Sequence, residues 1–176
     1  MNPQLDSRLA LFFGRRSTRN FRAGEVSDAT LRALLEAAMA APSAVGKDPW
    51  RFVVVRDRGM LARLAGVLSN GEMLHSASLC LVVCGDLDVA HDRQLSYLLQ
   101  DCAAAIENLL LAAHALGLGA CWLGVHPREH RIKAVSELLA LPEQVIPVAC
   151  IALGHPAEQK EARTRYNPAY VHREQW

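Results

Sequence analysis

The stretch "GRRSTRNF", Gly14 to Phe21, sets Arg15, Arg16 and Arg19 around Ser17 and Thr18. Guanidiniums offer forked donors that match a phosphate or a carboxylate, and hydroxyls and backbone amides can complete the cradle. A phosphate monoester is the natural ligand for that set. A second basic pair, Arg163 and Arg165, stands far along the chain and can reach the same anion if the fold returns there. The competing reading is a solvated turn, with Arg19 in a salt bridge to Asp28 or Glu25.

Other candidate motifs fail on inspection. "GLGACW" has two glycines of a dinucleotide fingerprint, but Trp122 stands in place of the third. "SAVGKD" falls short of a phosphate loop, because Ala41 takes the first glycine position and Asp48 follows Lys47. No G-x-S-x-G elbow offers a hydrolase nucleophile. "HPREH" spaces His126 and His130 by one helical turn, yet Pro127 holds His126 ahead of the helix and no third ligand suggests itself. No metal site is expected, and no histidine, His155 and His172 included, is given a catalytic role. The five cysteines form no C-x-x-C pair and sit mostly in apolar runs such as "SLCLVVCGD", as buried reduced thiols do.

Composition narrows the classes further. With 176 residues, one domain with a sizeable core is expected. Lys and Arg number 19 against 18 Asp and Glu, which gives no basic field for nucleic acid. The hydrophobic fraction, 51% beside 21% charged residues, suggests apolar surface held for a partner subunit. "MNPQLDSRLALFFGRR" does not read as a secretory leader, since its apolar run is short and its arginines follow that run. A soluble cytoplasmic protein that does not enter the membrane is expected.

These groups need elements to hold them. A short helix is expected from Leu5 to Phe13, stopped near Gly14. Ser27 caps the next helix, whose apolar stripe runs Leu31, Leu34, Leu35, Ala38 and Met39. Val26 and Leu31 stand at the spacing of a hydrophobic staple. Pro42 and Pro49 break the chain before a strand at Arg51–Val55, and a helix follows from Leu61 to Leu68. "SLCLVVCGD" reads as a strand buried on both faces. Tyr97 to Leu116 is apolar almost all round, so it belongs in a core or an interface; Asp101, Glu107, Asn108 and His114 argue against a membrane span. "GLGACWLGV" is a turn and strand, a helix runs from about Pro127 to Leu139, and "QVIPVACIALG" is a strand whose Pro147 places it at an edge or at its start. Trp50 and Trp122 read as core aromatics. The last residues carry Tyr166, Tyr170, Val171 and Trp176, more than a disordered tail would. The elements do not alternate regularly, which predicts an α+β fold with a single mixed, largely antiparallel sheet flanked by helices.

Four stretches in order, "RRSTRNF", "APSAVGKDPWRFVVV", "QDCAAAIENLLLAAHALGLGACWLG" and "ALGHP", resemble nitroreductase-family flavoproteins over nearly the whole chain. The resemblance implies an intertwined homodimer with FMN at the subunit interface. It divides the chain into a flavin domain, residues 1–154, and an extension, residues 155–176, that docks on the partner. Arg15, Arg16 and Ser17 match positions that hold the FMN phosphate and ribityl chain, and Arg19 matches a basic residue near the flavin N1/O2 edge. Pro42, Ser43 and Ala44 match a loop reaching the flavin from the other subunit. Leu123 and Gly124 match the strand end whose amide faces N5, and Arg163 or Arg165 matches a late residue returning to the phosphate. The family usually has Asn and Gln where this chain has Gly46 and Asp48, which bears on the flavin contact and the substrate pocket.

The activity implied is NAD(P)H-dependent reduction of an electron-poor acceptor (a nitroaromatic, quinone or activated enone) by a ping-pong route through flavin N5. Two alternatives stand beside it. One is a non-catalytic FMN-binding protein, such as a carrier, sensor or flavin-fragmenting relative. The other is an interaction domain without cofactor, which leaves the arginine clusters unexplained.

Overall fold

The computed structural model describes residues 7–176. After a turn of 3-10 helix at Ser7–Leu9 come α1 (Ala10–Gly14), β1 (Phe21–Arg22), α2 (Asp28–Met39), β2 (Trp50–Val55) and α3 (Arg58–Val67). Then follow β3 (Leu79–Asp86), α4 (Leu95–Ala115), β4 (Gly119–Gly124), α5 (Glu129–Leu139) and β5 (Val145–Pro156). The expected helix start at Leu5 lies outside the described residues.

Every ladder in the five-stranded sheet is antiparallel, and β5 is its spine. β3 pairs along one edge of β5, with β2 outside it, while β4 pairs along the other edge and β1 meets the last two residues of β5. An isolated parallel bridge joins Ser17 to Ala120. The chain is therefore α+β, as the irregular order of its elements predicts. Pro147 does stand near the start of β5, but the strand is central rather than an edge. The register with β3 shifts between Val83 and Cys84, so the irregularity sits where proline has no amide to give.

The apolar run of β3 is continuous because the strand divides two cores. Leu79, Leu81 and Val83 pack with α2 and α4, whereas Cys80, Val82 and Cys84 pack with Leu61 and Leu64 of α3 and Val135 of α5. On α4 the buried residues Leu98, Asp101, Cys102, Ala105, Ile106, Leu109 and Ala113 recur at helical spacing, so one face lies on the sheet. The Ser27 hydroxyl accepts from the Thr30 amide at 3.1 Å and caps α2, and Asp57 accepts from Met60 at 2.7 Å to cap α3.

All five cysteines are buried and free. Burial pushes the Cys84 and Cys102 thiols up to about 12 and also raises Cys121, while a hydrogen bond with Cys80 and burial raise Cys150. At pH 8 roughly one Cys84 in ten thousand is thiolate, the reactive form. The native protein should therefore give no fast reaction with Ellman's reagent, and all five thiols should react once it is unfolded in guanidinium.

Candidate functional site

Gly14 ends α1, and the chain leaves it extended to run beside β4. Thr18 donates its amide to the Ala120 carbonyl at 2.9 Å and buries its side chain, 7% exposed, against Gly119. A Cβ on Gly119 would stand 2.6 Å from the Thr18 methyl, so only glycine admits the segment this close. The C-terminal tail then closes over the same segment. Ala157 donates to the Asn20 carbonyl at 2.9 Å, Lys160 to the Ser17 carbonyl at 3.0 Å, and Arg163 to the Phe13 carbonyl at 3.1 Å. The Arg16 guanidinium donates to the Glu161 carbonyl.

The result is a cleft of about 330 Å³ lined by Arg15, Arg16, Arg163 and Arg165 together with Phe12, Phe13 and Thr164. Two arginines from each end of the chain thus meet. Arg15 lies 3.4 Å from Glu107, and among the described residues no other carboxylate pairs with the four. Repulsion from Arg16, then from Arg165, lowers the pKa of Arg163, as unneutralised guanidiniums do. A phosphate dianion fits this donor set, which the single carboxylate of Glu107 leaves short of negative charge among the described residues.

A second pocket, about 480 Å³, opens at the far end of β4. Its lining includes Arg19, Asn20, Ser69, Asn70, Glu72, Trp122, Leu123, Gly124, Arg128 and Arg131. Arg19 is exposed here and, among the described residues, pairs with neither Asp28 nor Glu25, the two salt-bridge alternatives; Asp28 pairs with Arg56 at 3.0 Å. Trp122 is 39% exposed at this pocket rather than a core aromatic, whereas Trp50 is buried as expected. Arg131 holds the strand end in place. Its two terminal nitrogens donate to the Gly124 carbonyl and the Ser69 hydroxyl, each at 2.7 Å.

The Pro42–Asp48 loop is elsewhere. Val45, Gly46 and Asp48 all adopt positive φ, and the Ser43 hydroxyl donates to the Asp48 carboxylate at 2.5 Å while accepting the Asp48 amide at 3.0 Å. Asp48 is therefore turned onto its own loop. The Ala44 amide donates to Asp101 at 2.9 Å, in the first half of α4. The cleft beside the arginine segment instead borders Leu110 and His114 near the end of α4. From Asp101 to His114 is about 20 Å along a helix axis. A single chain brings Arg15, Arg16, Arg163 and Arg165 together, and sets Ser17, Arg19, Leu123 and Gly124 beside them along β4. It leaves Pro42, Ser43, Ala44 and Gly46 apart.

The model of the nitroreductase family matches residues 13–71 and 62–155. The chain belongs to that family. It is 44% identical over 171 residues to an Archaeoglobus fulgidus protein provisionally named an NADH dehydrogenase/NAD(P)H nitroreductase, covering 96% of this chain and 98% of the other. An FMN-dependent nitroreductase from Clostridium difficile superposes with a TM-score of 0.87 at 29% identity, covering 96% of this chain and 99% of that one. A structure from Desulfovibrio desulfuricans, provisionally called a nitroreductase and solved in complex with FMN, gives 0.84 at 34% identity and covers 97% and 98%.

Within this family member, sequence reasoning missed Ser69, Asn70, Glu72, Arg128, Arg131 and Lys160. One signal was available. Arg131 stands four residues before Val135 and seven before Leu138, on the apolar stripe of α5, where an arginine cannot be solvated. Because Arg131 is buried and bonded only to neutral groups, its partners matter for stability. Ser69→Ala is expected to cost about 1 kcal/mol and Arg131→Ala about 2–3 kcal/mol, read from urea denaturation midpoints.

Proposed function

We propose that the protein passes a hydride from NAD(P)H by way of FMN to an electron-poor acceptor (a nitroaromatic, quinone or activated enone) in two half-reactions at one site. As a member of its family it is an NAD(P)H-dependent flavin oxidoreductase with FMN as cofactor. The observation that carries the reading is the meeting of Arg15 and Arg16 with Arg163 and Arg165 around a cleft where, among the described residues, Glu107 is the one carboxylate paired with the four.

In this reading those four guanidiniums and Ser17 hold the phosphate and the start of the ribityl chain. FMN, when bound, supplies a position, N5, that accepts and returns a hydride. Arg19 would lie at the pyrimidine edge of the bound ring, where a cation would favour the charge that reduction adds. Leu123 and Gly124 would present backbone to N5 of the bound flavin, and Arg131 keeps that peptide oriented by holding its carbonyl. Reduction of a nitro group then takes one hydride and one proton, releases water and leaves a nitroso group. Solvent supplies that proton, so no acid–base side chain is required.

Pro42, Ser43, Ala44 and Gly46 complete the site from a second copy of the chain, which their distance from the arginine cleft along α4 supports. Exposed Leu9, Leu11, Phe12, Met39, Val45, Leu95 and Leu116 offer apolar surface for that copy. Of the extension at residues 155–176, His155 and Pro156 end β5 and residues 157–163 bond to the chain's own arginine segment, so the part that docks on the second copy is the one carrying exposed Tyr166, Tyr170 and Trp176. Light scattering should return twice the mass of the chain; a monomer that holds FMN and turns over would overturn this part.

The first test is a titration of FMN into apo-protein, followed by quenching of flavin fluorescence. Saturation is expected at one FMN per chain, with Arg16→Ala weakening binding by about tenfold to a hundredfold. Anaerobic NADH or NADPH should then bleach the bound flavin. Bound flavin that neither bleaches would identify a carrier or sensor, and no binding at all would remove the reading.

A further inference from the structure

The pocket beside Gly124 holds more positive charge than it can neutralise. Arg19, Arg128 and Arg131 line it, and Glu72 is its one acidic lining residue. Formally that leaves two positive charges in one pocket of a chain whose net charge is +1. Among the described residues none of the three arginines makes an ion pair. Arg131 is the most telling, since it is 6% exposed, bonds only to a carbonyl and a hydroxyl, and leaves its Nε without a partner. A guanidinium buried among neutral groups is costly, and that cost is relieved when a ligand brings the missing anion.

Arg128 stands where that anion would enter. It is exposed at the pocket and is the residue from which α5, eleven residues long, begins. No side chain caps α5, and its first amides place partial positive charge next to the Arg128 guanidinium, which the exposed first-turn Glu129 offsets in part. Resting on the functional reading above, Arg19 meets the charge that reduction places on the flavin. With Glu72 set against them, Arg128 and Arg131 together leave one positive charge over.

We propose that Arg128 and Arg131 form an anion subsite of the acceptor pocket, and that the preferred acceptors are aromatic rings bearing a carboxylate away from the group being reduced. The fork of Arg128 matches a carboxylate, and the buried charge of Arg131 adds to the attraction. The pocket of about 480 Å³ would be shared by the flavin ring, against Arg19, Leu123 and Gly124, and the acceptor lying over it.

The test compares 4-nitrobenzoate with 4-nitrobenzamide, which differ in charge but hardly in shape, using FMN-loaded wild-type protein, Arg128→Gln and Arg128→Lys. Two readouts are taken: the ratio of kcat/KM for the two acceptors, and the Kd of unreactive benzoate against benzamide from the perturbed flavin spectrum. The wild type should favour the carboxylate in both. Arg128→Gln should cut that preference about tenfold, the loss of one charge-assisted hydrogen bond, and Arg128→Lys should retain part of it. A preference that is absent in the wild type, or unmoved in Arg128→Gln, overturns the proposal. So does a variant in which only the KM for NADPH or NADH rises, because the charge then serves the donor. Should the wild type hold no FMN, the functional reading fails separately. Benzoate binding to the apo-protein by calorimetry, lost in Arg128→Gln, would still establish the subsite, and its absence would refute it.

Discussion

The seating of Thr18 on Gly119 is the contact from which the rest of the site is built. It lets residues 15–20 lie beside β4 almost as a further strand, tied by the amide of Thr18 to the carbonyl of Ala120. Arg16 and Arg19 are thereby held at successive points along the strand, and the tail that folds over them has a fixed backbone to bond. Any side chain at position 119 would lift the segment and separate the two arginine pairs. β4 can carry this load because it is paired along its whole length to β5, the buried spine of the sheet.

Two cationic centres follow from that placement, and they are built differently. At one end four guanidiniums gather, those of Arg163 and Arg165 exposed and those of Arg15 and Arg16 half-buried, and solvent keeps the cost of their repulsion small. At the other a single guanidinium is sealed beneath the strand end with neutral partners. The first arrangement gives affinity for a strong anion without disturbing the core. The second places charge where the dielectric is low, so its influence on anything bound in the pocket is large for one residue. Neither is explained by stability, since a packed apolar side chain at position 131 would serve α5 better.

How much of this was legible in sequence follows from what each feature depends on. The stripe of α2, its Ser27 cap and the doubly buried run of β3 are local patterns, and they reappear as written. The arginines at positions 15, 16, 163 and 165 announced an anion by residue type alone, but their meeting required the tail to return, which no local pattern encodes. Pro147 was misleading in part, because a bulge lets a central strand accept it. Arg131 was passed over because an arginine on a helix is ordinarily solvated, even though its spacing to Val135 put it on the buried side. The turn of Asp48 onto Ser43 depends on three positive-φ residues, and only Gly46 among them hinted at that geometry.

The five buried cysteines acquire a meaning from the proposed chemistry. Quinones add to thiolates, and nitrosoarenes condense with them, so an enzyme that handles the one and releases the other works amid electrophiles that attack its own sulfur. Cys121 itself lines the pocket, yet it is only 2% exposed and burial raises its pKa. Cys84 and Cys102 are held neutral by the core itself. The two-sided packing of the sheet thus doubles as armour, letting a cysteine-containing protein survive many turnovers of substrates that would inactivate one with an exposed thiol.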